Sequence, residues 1–330
     1  LRQAGKQGNK NPCQQNGKRN GPGYLIAARD IIEESGQART AGVEIEMIFQ
    51  KKNSPRSPLF EHRQLVYPLF IILVSATAIL CIPFMKPIRF SWLEMNTQFQ
   101  ALVFVFTAAI FLHAFLTLSV SNAFRLFFLA FLLSYFAEYI SMHYICLFGK
   151  PYHYDPALYP ILPGGVPIIV VFMWFILAYT ALKFLYAIPI RSKGSYSLWR
   201  ILLKGGLSAL YIMATDFFID PLGIFAGLWV WHGPGGYFGI PWANFAGWFL
   251  VSFVIFFLYL ITEKAFSPTR IKTDYFLDKA FVVVTIFPTI FCITGCVIYL
   301  GNVGPIFLSL IVMGPVWIYW AISLQEVQRK

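Results

Sequence analysis

The sequence predicts an all-α fold, a polytopic transmembrane helical bundle. Three observations carry that expectation. Of 330 residues, 58% are apolar and only 12% are charged, with a mean hydropathy of +0.63, whereas soluble domains carry roughly a quarter charged residues. Apolar runs of about 20 residues, long enough to cross a hydrocarbon core, recur from residue 64 to the end. The Lys and Arg residues behind the net charge of +11 lie in the N-terminal segment and between the apolar runs. That is how topology-setting charge is distributed in membrane proteins.

Residues 1–60 differ from the rest, being dominated by Gln, Asn, Gly, Lys and Arg. No charged stretch followed by an apolar one opens the chain, so this is not a signal peptide. It reads as a disordered tail, or as an extension ahead of a natural start at Met47, with 61–330 as the transmembrane domain. About eight spans are expected, seven being the alternative count: 65–85, 99–119, 124–148, 166–188, 197–219, 243–264, 279–300 and 304–323. All should be helices, because lipid offers backbone groups no other partner.

Orientation follows from the basic residues. Lys51, Lys52, Arg56 and Arg63 precede the first span, Lys183, Arg191, Lys193, Arg200 and Lys204 surround the fourth connection, and Lys264, Arg270, Lys272 and Lys279 fill the sixth. The opposite side carries Lys86, Arg89 and Lys150, and the connection from Asp220 to Trp242 has no Lys or Arg. The bias places both termini in the cytoplasm of a multi-pass protein of a plasma or inner membrane.

The composition also excludes function classes. No accessible face interleaves basic and aromatic residues, so nucleic acid is not an expected partner. Four of the five cysteines (Cys81, Cys146, Cys292, Cys296) lie in apolar segments and suggest no disulfide framework. Cys292 and Cys296, one turn apart, lack a further ligand and read as packing residues. The histidines His62, His113, His143, His153 and His232 show no HxxxH or HxxHH clustering, so a di-iron or other metal site is not expected. His113 and His143 read as packing or hydrogen-bonding residues.

Ionisable groups inside spans cost about 2.5–3.5 kcal/mol each at the centre on insertion scales, so each needs a reason. Glu138 stands within the third span, beside Tyr135, Tyr139 and Ser141. Packing specificity is the alternative to function there. Asp216 and Asp220, four apart in ATDFFIDP, share a helix face, with Asp216 one turn deeper. Pro221 and Gly223 are then expected to end the helix, and Asp220 also suits a turn ahead of Pro221. The connections GKPYHYDPALYPILPGGVP and DPLGIFAGLWVWHGPGGYFGIPWANFAGW are too apolar to be solvated loops. They are expected to fold back as re-entrant or interfacial caps on one membrane side. The carboxyls would then share an aromatic pocket with His153, Tyr154, Trp231, His232, Tyr237 and Asn244. For the Trp and Tyr residues an interfacial belt is the competing reading.

At these residues the sequence resembles the integral-membrane carotenoid 1,2-hydratases of the CruF type, including the bisanhydrobacterioruberin hydratases of archaea. The likeness lies in Glu138 with its aromatic neighbours, PYHYDPALYPILPGGVP, TDFFIDP and WVWHGPGGYFGIPWANFAGW, in that order, within roughly 65–325. It implies addition of water across the terminal 1,2 double bond of an acyclic carotenoid end group, giving a tertiary hydroxyl with no cofactor and no metal. The implied partners are a lipid-soluble carotenoid, water, membrane lipid and other enzymes of the same pathway.

The residues suit such chemistry. Protonating an unactivated alkene needs a dry acid, and a carboxyl removed from water keeps its proton. Asp216 is the first candidate and Glu138 the second. Trp231, Tyr237 and Trp242 are candidate faces for the tertiary carbocation. Asp220, His153 or Asn244 would hold the water, the first two being able to accept its proton.

Other readings stand beside this one. DFFID resembles half of a prenyltransferase aspartate motif, but such enzymes need two acidic clusters with magnesium and basic residues for diphosphate. A membrane lycopene cyclase shares the proton-initiated cation and differs in what quenches it. A transporter or channel rests only on the number of helices, since no inverted pair of interrupted helices is evident.

Overall fold

A computed structural model describes residues 63–81, 92–187, 198–262 and 292–313. The chain divides into the units Leu1–Arg56 and Ser57–Lys330, and every described residue lies in the second. The expectations for residues 1–60, for the start at Met47 and for most of the seventh span fall outside the described residues.

The helices are α1 (Arg63–Cys81), α2 (Trp92–Thr117), α3 (Val120–Ile140), α4 (Ile168–Ala187), α5 (Leu198–Phe225) and α6 (Trp242–Thr262), then α7 (292–298) and α8 (Gly304–Met313). Among the described residues, four short strands lie in the connections: β1 (Tyr152–Tyr154), β2 (Ile161–Leu162), β3 (Val166–Pro167) and β4 (Trp229–Trp231). Among the described residues, five helical stretches are long and apolar enough to cross a membrane, within α2 to α6. The segments Tyr67–Leu80 and Gly304–Met313 are shorter apolar helices. The protein is a multi-pass, helical membrane protein.

The centre of the bundle follows from sequence. In α4, IIVVFMWFILAYTALKFLYA is apolar around its circumference up to Thr180 and Lys183, as a helix surrounded by others must be. It packs against α2, α3, α5 and α6, burying Val171, Trp174, Phe175, Ala178, Tyr179 and Leu182. α5 lies along α6, and α1 along α2.

Two local features shape the end of the bundle near Glu138. α3 starts at Ser119, whose hydroxyl accepts the Asn122 N–H at 3.2 Å as an N-cap. After Ile140 it widens into a π turn over Ser141–Ile145, a feature that recurs at functional sites. The chain then reverses through Cys146 (φ 45°) and Gly149 (φ 97°), while the Ser141 hydroxyl accepts the Phe148 N–H at 3.1 Å.

The second feature corrects an expectation. α5 does not stop at Pro221 but continues to Phe225. Proline lacks the N–H that would reach the carbonyl four residues back, here that of Phe217. The Tyr237 hydroxyl donates to that carbonyl at 3.0 Å. A side chain from the following connection thus satisfies the group that proline leaves free, and the helix survives.

The two Gly/Pro/aromatic connections do more than cap. β1 pairs antiparallel with β4, Tyr152 opposite Trp231 and Tyr154 opposite Trp229, and β2 forms a hairpin with β3. Trp229 then packs on Gly223 of α5, where an added Cβ would stand 2.0–2.5 Å from ring atoms. Gly223→Ala is therefore expected to destabilise the protein by about 1–3 kcal/mol through overpacking. The readout is the unfolding midpoint of the purified protein in detergent. An unchanged midpoint would mean that the indole yields freely.

Candidate active site

Strand alternation sorts the β1 side chains. Tyr152 and Tyr154 point inward, whereas His153 points outward and is exposed. Both tyrosine hydroxyls donate to Glu138 Oε2, that of Tyr154 at 2.8 Å. From α4, the Trp174 indole N–H donates to Glu138 Oε1 at 3.3 Å. The carboxyl is buried and accepts three hydrogen bonds from two elements. Burial first, and then the nearby Glu138 charge, hold the Tyr152 and Tyr154 hydroxyls well above the ordinary phenol range. Both therefore remain O–H donors at any working pH.

The second group comes from α5 and α6. Asp216 and Asp220 lie one turn apart and both are buried. Asn244, in the first turn of α6, donates its amide N–H groups to Asp216 Oδ2 at 2.9 Å and to Asp220 Oδ2. The Asn244 amide presents its nitrogen, the end that donates, to both carboxyls. Asp216 Oδ1 is buried without a hydrogen-bond partner.

A cavity of about 30 Å³ lies between these groups. Glu138, Asp220 and Asn244 reach it, with Tyr152 and Tyr154, beneath a wall of Trp229, Trp231 and Trp248. Trp248 stacks on Trp174 at 4.2 Å with rings 14° apart, and Trp231 lies 4.6 Å from Tyr152. The indole nitrogens of Trp229 and Trp231 are buried; that of Trp229 is directed at Asp220, and that of Trp231 has no hydrogen-bond partner. Such a space admits one or two water molecules. Two carboxyls, a carboxamide, two phenols and two indole N–H groups surround it.

The structure brings together Glu138, Asp220, Tyr154, Trp231 and Asn244 as expected, all on the cavity wall. Asp216 is tied to them through Asn244 but is not part of that wall. Four expected members, His153, His232, Tyr237 and Trp242, lie elsewhere. His153 pairs with His232 at 3.0 Å on the exposed side of the sheet, because alternation turns it away from its tyrosine neighbours. Tyr237 is occupied with the Phe217 carbonyl. Trp242, 54% exposed, packs in a neighbouring cluster with Tyr237 and Phe245. His113 is a buried hydrogen-bonding residue, 2.6 Å from the Tyr179 hydroxyl, and His143 meets the Gly164 carbonyl at 2.9 Å.

Sequence reasoning missed Tyr152, Trp174, Trp229 and Trp248. Signals for them exist. Tyr152 and Trp229 stand two residues from Tyr154 and Trp231, the spacing of one strand face. Trp174 and Trp248 are tryptophans inside spans, where an indole N–H needs a partner. Among the described residues, no three His, Cys, Asp or Glu side chains are grouped to hold a metal ion.

The arrangement can exchange protons in a space walled off by aromatic rings, with those rings available to face a cation. The family profile described as "Carotenoid biosynthesis protein" matches residues 98–315, which include every residue of this site. No curated protein and no solved structure matches the chain. With more than half of its length matched, and with the polar residues of its membrane interior inside the match, the chain belongs to the carotenoid biosynthesis protein family.

Proposed function

We propose that the protein is a carotenoid 1,2-hydratase, adding water to the terminal double bond of an acyclic carotenoid end group without a cofactor. The observation that carries this reading is the cavity. It is sized for water and offers water an unpartnered donor, the Trp231 N–H group, and carboxyl acceptors. A cyclase, which must keep water from its cation, has no use for such a space.

In this reading a carboxyl of the set Asp216, Asp220 and Glu138 protonates the less substituted alkene carbon. The tertiary cation that results faces Trp231 and its neighbours Trp229 and Trp248. Water held in the cavity adds to the cation and releases a proton to a second carboxyl. Tyr154 and Asn244 fix the carboxyls, while Tyr237 and Trp242 lie off the cavity wall. The domain spans 61–330 with about eight membrane crossings and both termini cytoplasmic, as the basic residues indicate.

The test is expression in a host that accumulates lycopene, with chromatography and mass analysis of the pigments. The expected result is the gain of one water per modified end. An unchanged mass with an altered spectrum would mean cyclisation and would overturn the reading. So would untouched lycopene together with untouched longer acyclic carotenoids.

A further inference from the structure

We propose that the carboxyls divide the work: Glu138 takes the proton from the attacking water, and Asp220 gives the proton to the alkene. This rests on the hydratase reading above.

The division follows from what each carboxyl already holds. Glu138 accepts at both oxygens, from Tyr152 and Tyr154 at Oε2 and from Trp174 at Oε1. An indole N–H donates and never accepts, so Oε1 is fixed as an acceptor. Two phenols crowd Oε2, and a proton residing there would displace one of them. Of about four acceptor positions on a carboxylate, three are filled, and the last is open to water in the cavity that Glu138 lines. Tyr152, Tyr154 and Trp174 are then positioning residues. They hold the base in acceptor form and aim its remaining lone pair.

Asp220 is placed differently. It shares the Asn244 amide with Asp216, with the Trp229 indole N–H as a further donor. Of the two aspartates, Asp220 alone reaches the cavity wall. A proton on Asp220 is therefore presented at the cavity wall, whereas one on Asp216 lies a turn deeper.

The steps balance. The Asp220 O–H bond breaks and a C–H bond forms at the less substituted carbon, leaving a carboxylate and a tertiary cation. A water oxygen bonds to the cation, and one of its protons passes to Glu138. Because both carboxyls line one cavity, a further water in it can carry the proton from Glu138 back to Asp220 and reset the site.

Membranes containing the full chain, supplied with an acyclic carotenoid in D₂O, separate the two roles. Glu138→Gln is expected to lower hydration by at least about 10²-fold while the recovered, unhydrated carotenoid gains deuterium at its terminal alkene. The cation still forms and collapses by returning a proton to Asp220. Asp220→Asn is expected to give neither hydration nor deuterium. A double variant, Tyr152→Phe with Tyr154→Phe, keeps all three carboxyls and is expected to show weakened hydration with exchange retained. It decides the matter should Glu138→Gln fail to accumulate. Exchange that persists in Asp220→Asn, or that vanishes with hydration in the double variant, would overturn the division. A wild-type protein that hydrates no acyclic carotenoid would instead overturn the hydratase reading itself.

Discussion

Hydration by the Asp220→Asn variant is expected to fall by about 10²- to 10⁴-fold, the worth of a positioned general acid, with the protein still folded and inserted. Asparagine keeps the shape of the side chain and can turn its carbonyl oxygen to the Asn244 amide, so the link between α5 and α6 survives. What it lacks is a transferable proton. Asp216→Asn makes the informative comparison. Asp216 is buried one turn deeper, joined to the site by the same amide and absent from the cavity wall. Its replacement should cost less activity than that of Asp220. Pigment yields from both variants, normalised to the amount of protein in the membrane, give the result. A wild-type yield from Asp220→Asn would remove it from the mechanism. A deeper loss in Asp216→Asn would move the acid one turn inward.

The carboxyls were legible in the sequence because the physics that reveals them is local. Glu138 and Asp216 stand in otherwise apolar segments, where an ionisable group is costly, and the four-residue step from Asp216 to Asp220 defines a helix face without any knowledge of the fold. The helices of the bundle were legible for the same reason, since length and apolarity are properties of a single segment. The partners were not. Tyr152 and Trp229 become cavity residues only when β1 pairs with β4, a contact between two distant connections. A strand of three residues leaves no periodic trace to detect. That pairing also decides that Tyr154 faces inward and His153 outward, which composition treats alike.

Pro221 shows the same limit from the other side. Its rule is local and would end the helix, yet the Tyr237 hydroxyl arrives from sixteen residues further on and supplies the missing donor. Asp220 thereby stays on a helical face rather than in a turn, and that geometry lets Asn244 reach both aspartates at once. A side chain judged to be part of the pocket turns out to hold in place the element that builds it.

Asn244→Leu is expected to produce the second large effect, on stability as well as activity. The amide is the shared donor of two buried carboxyls, and leucine has its branched skeleton, with bulkier ends, without its N–H groups. Each buried acceptor left without a partner costs about 1–3 kcal/mol, more where it is charged. The unfolding midpoint in detergent should drop well beyond that of a conservative core substitution, and hydration should fall as the carboxyls lose their alignment. The two causes separate in a double-mutant cycle with Asp216→Asn. If the amide acts through the carboxyls, then replacing Asp216 in the Asn244→Leu background should restore part of the lost stability, since one orphaned carboxyl becomes a neutral side chain. Strict additivity of the two substitutions would show that Asn244 only fills space between α5 and α6, and would detach it from the aspartates it touches.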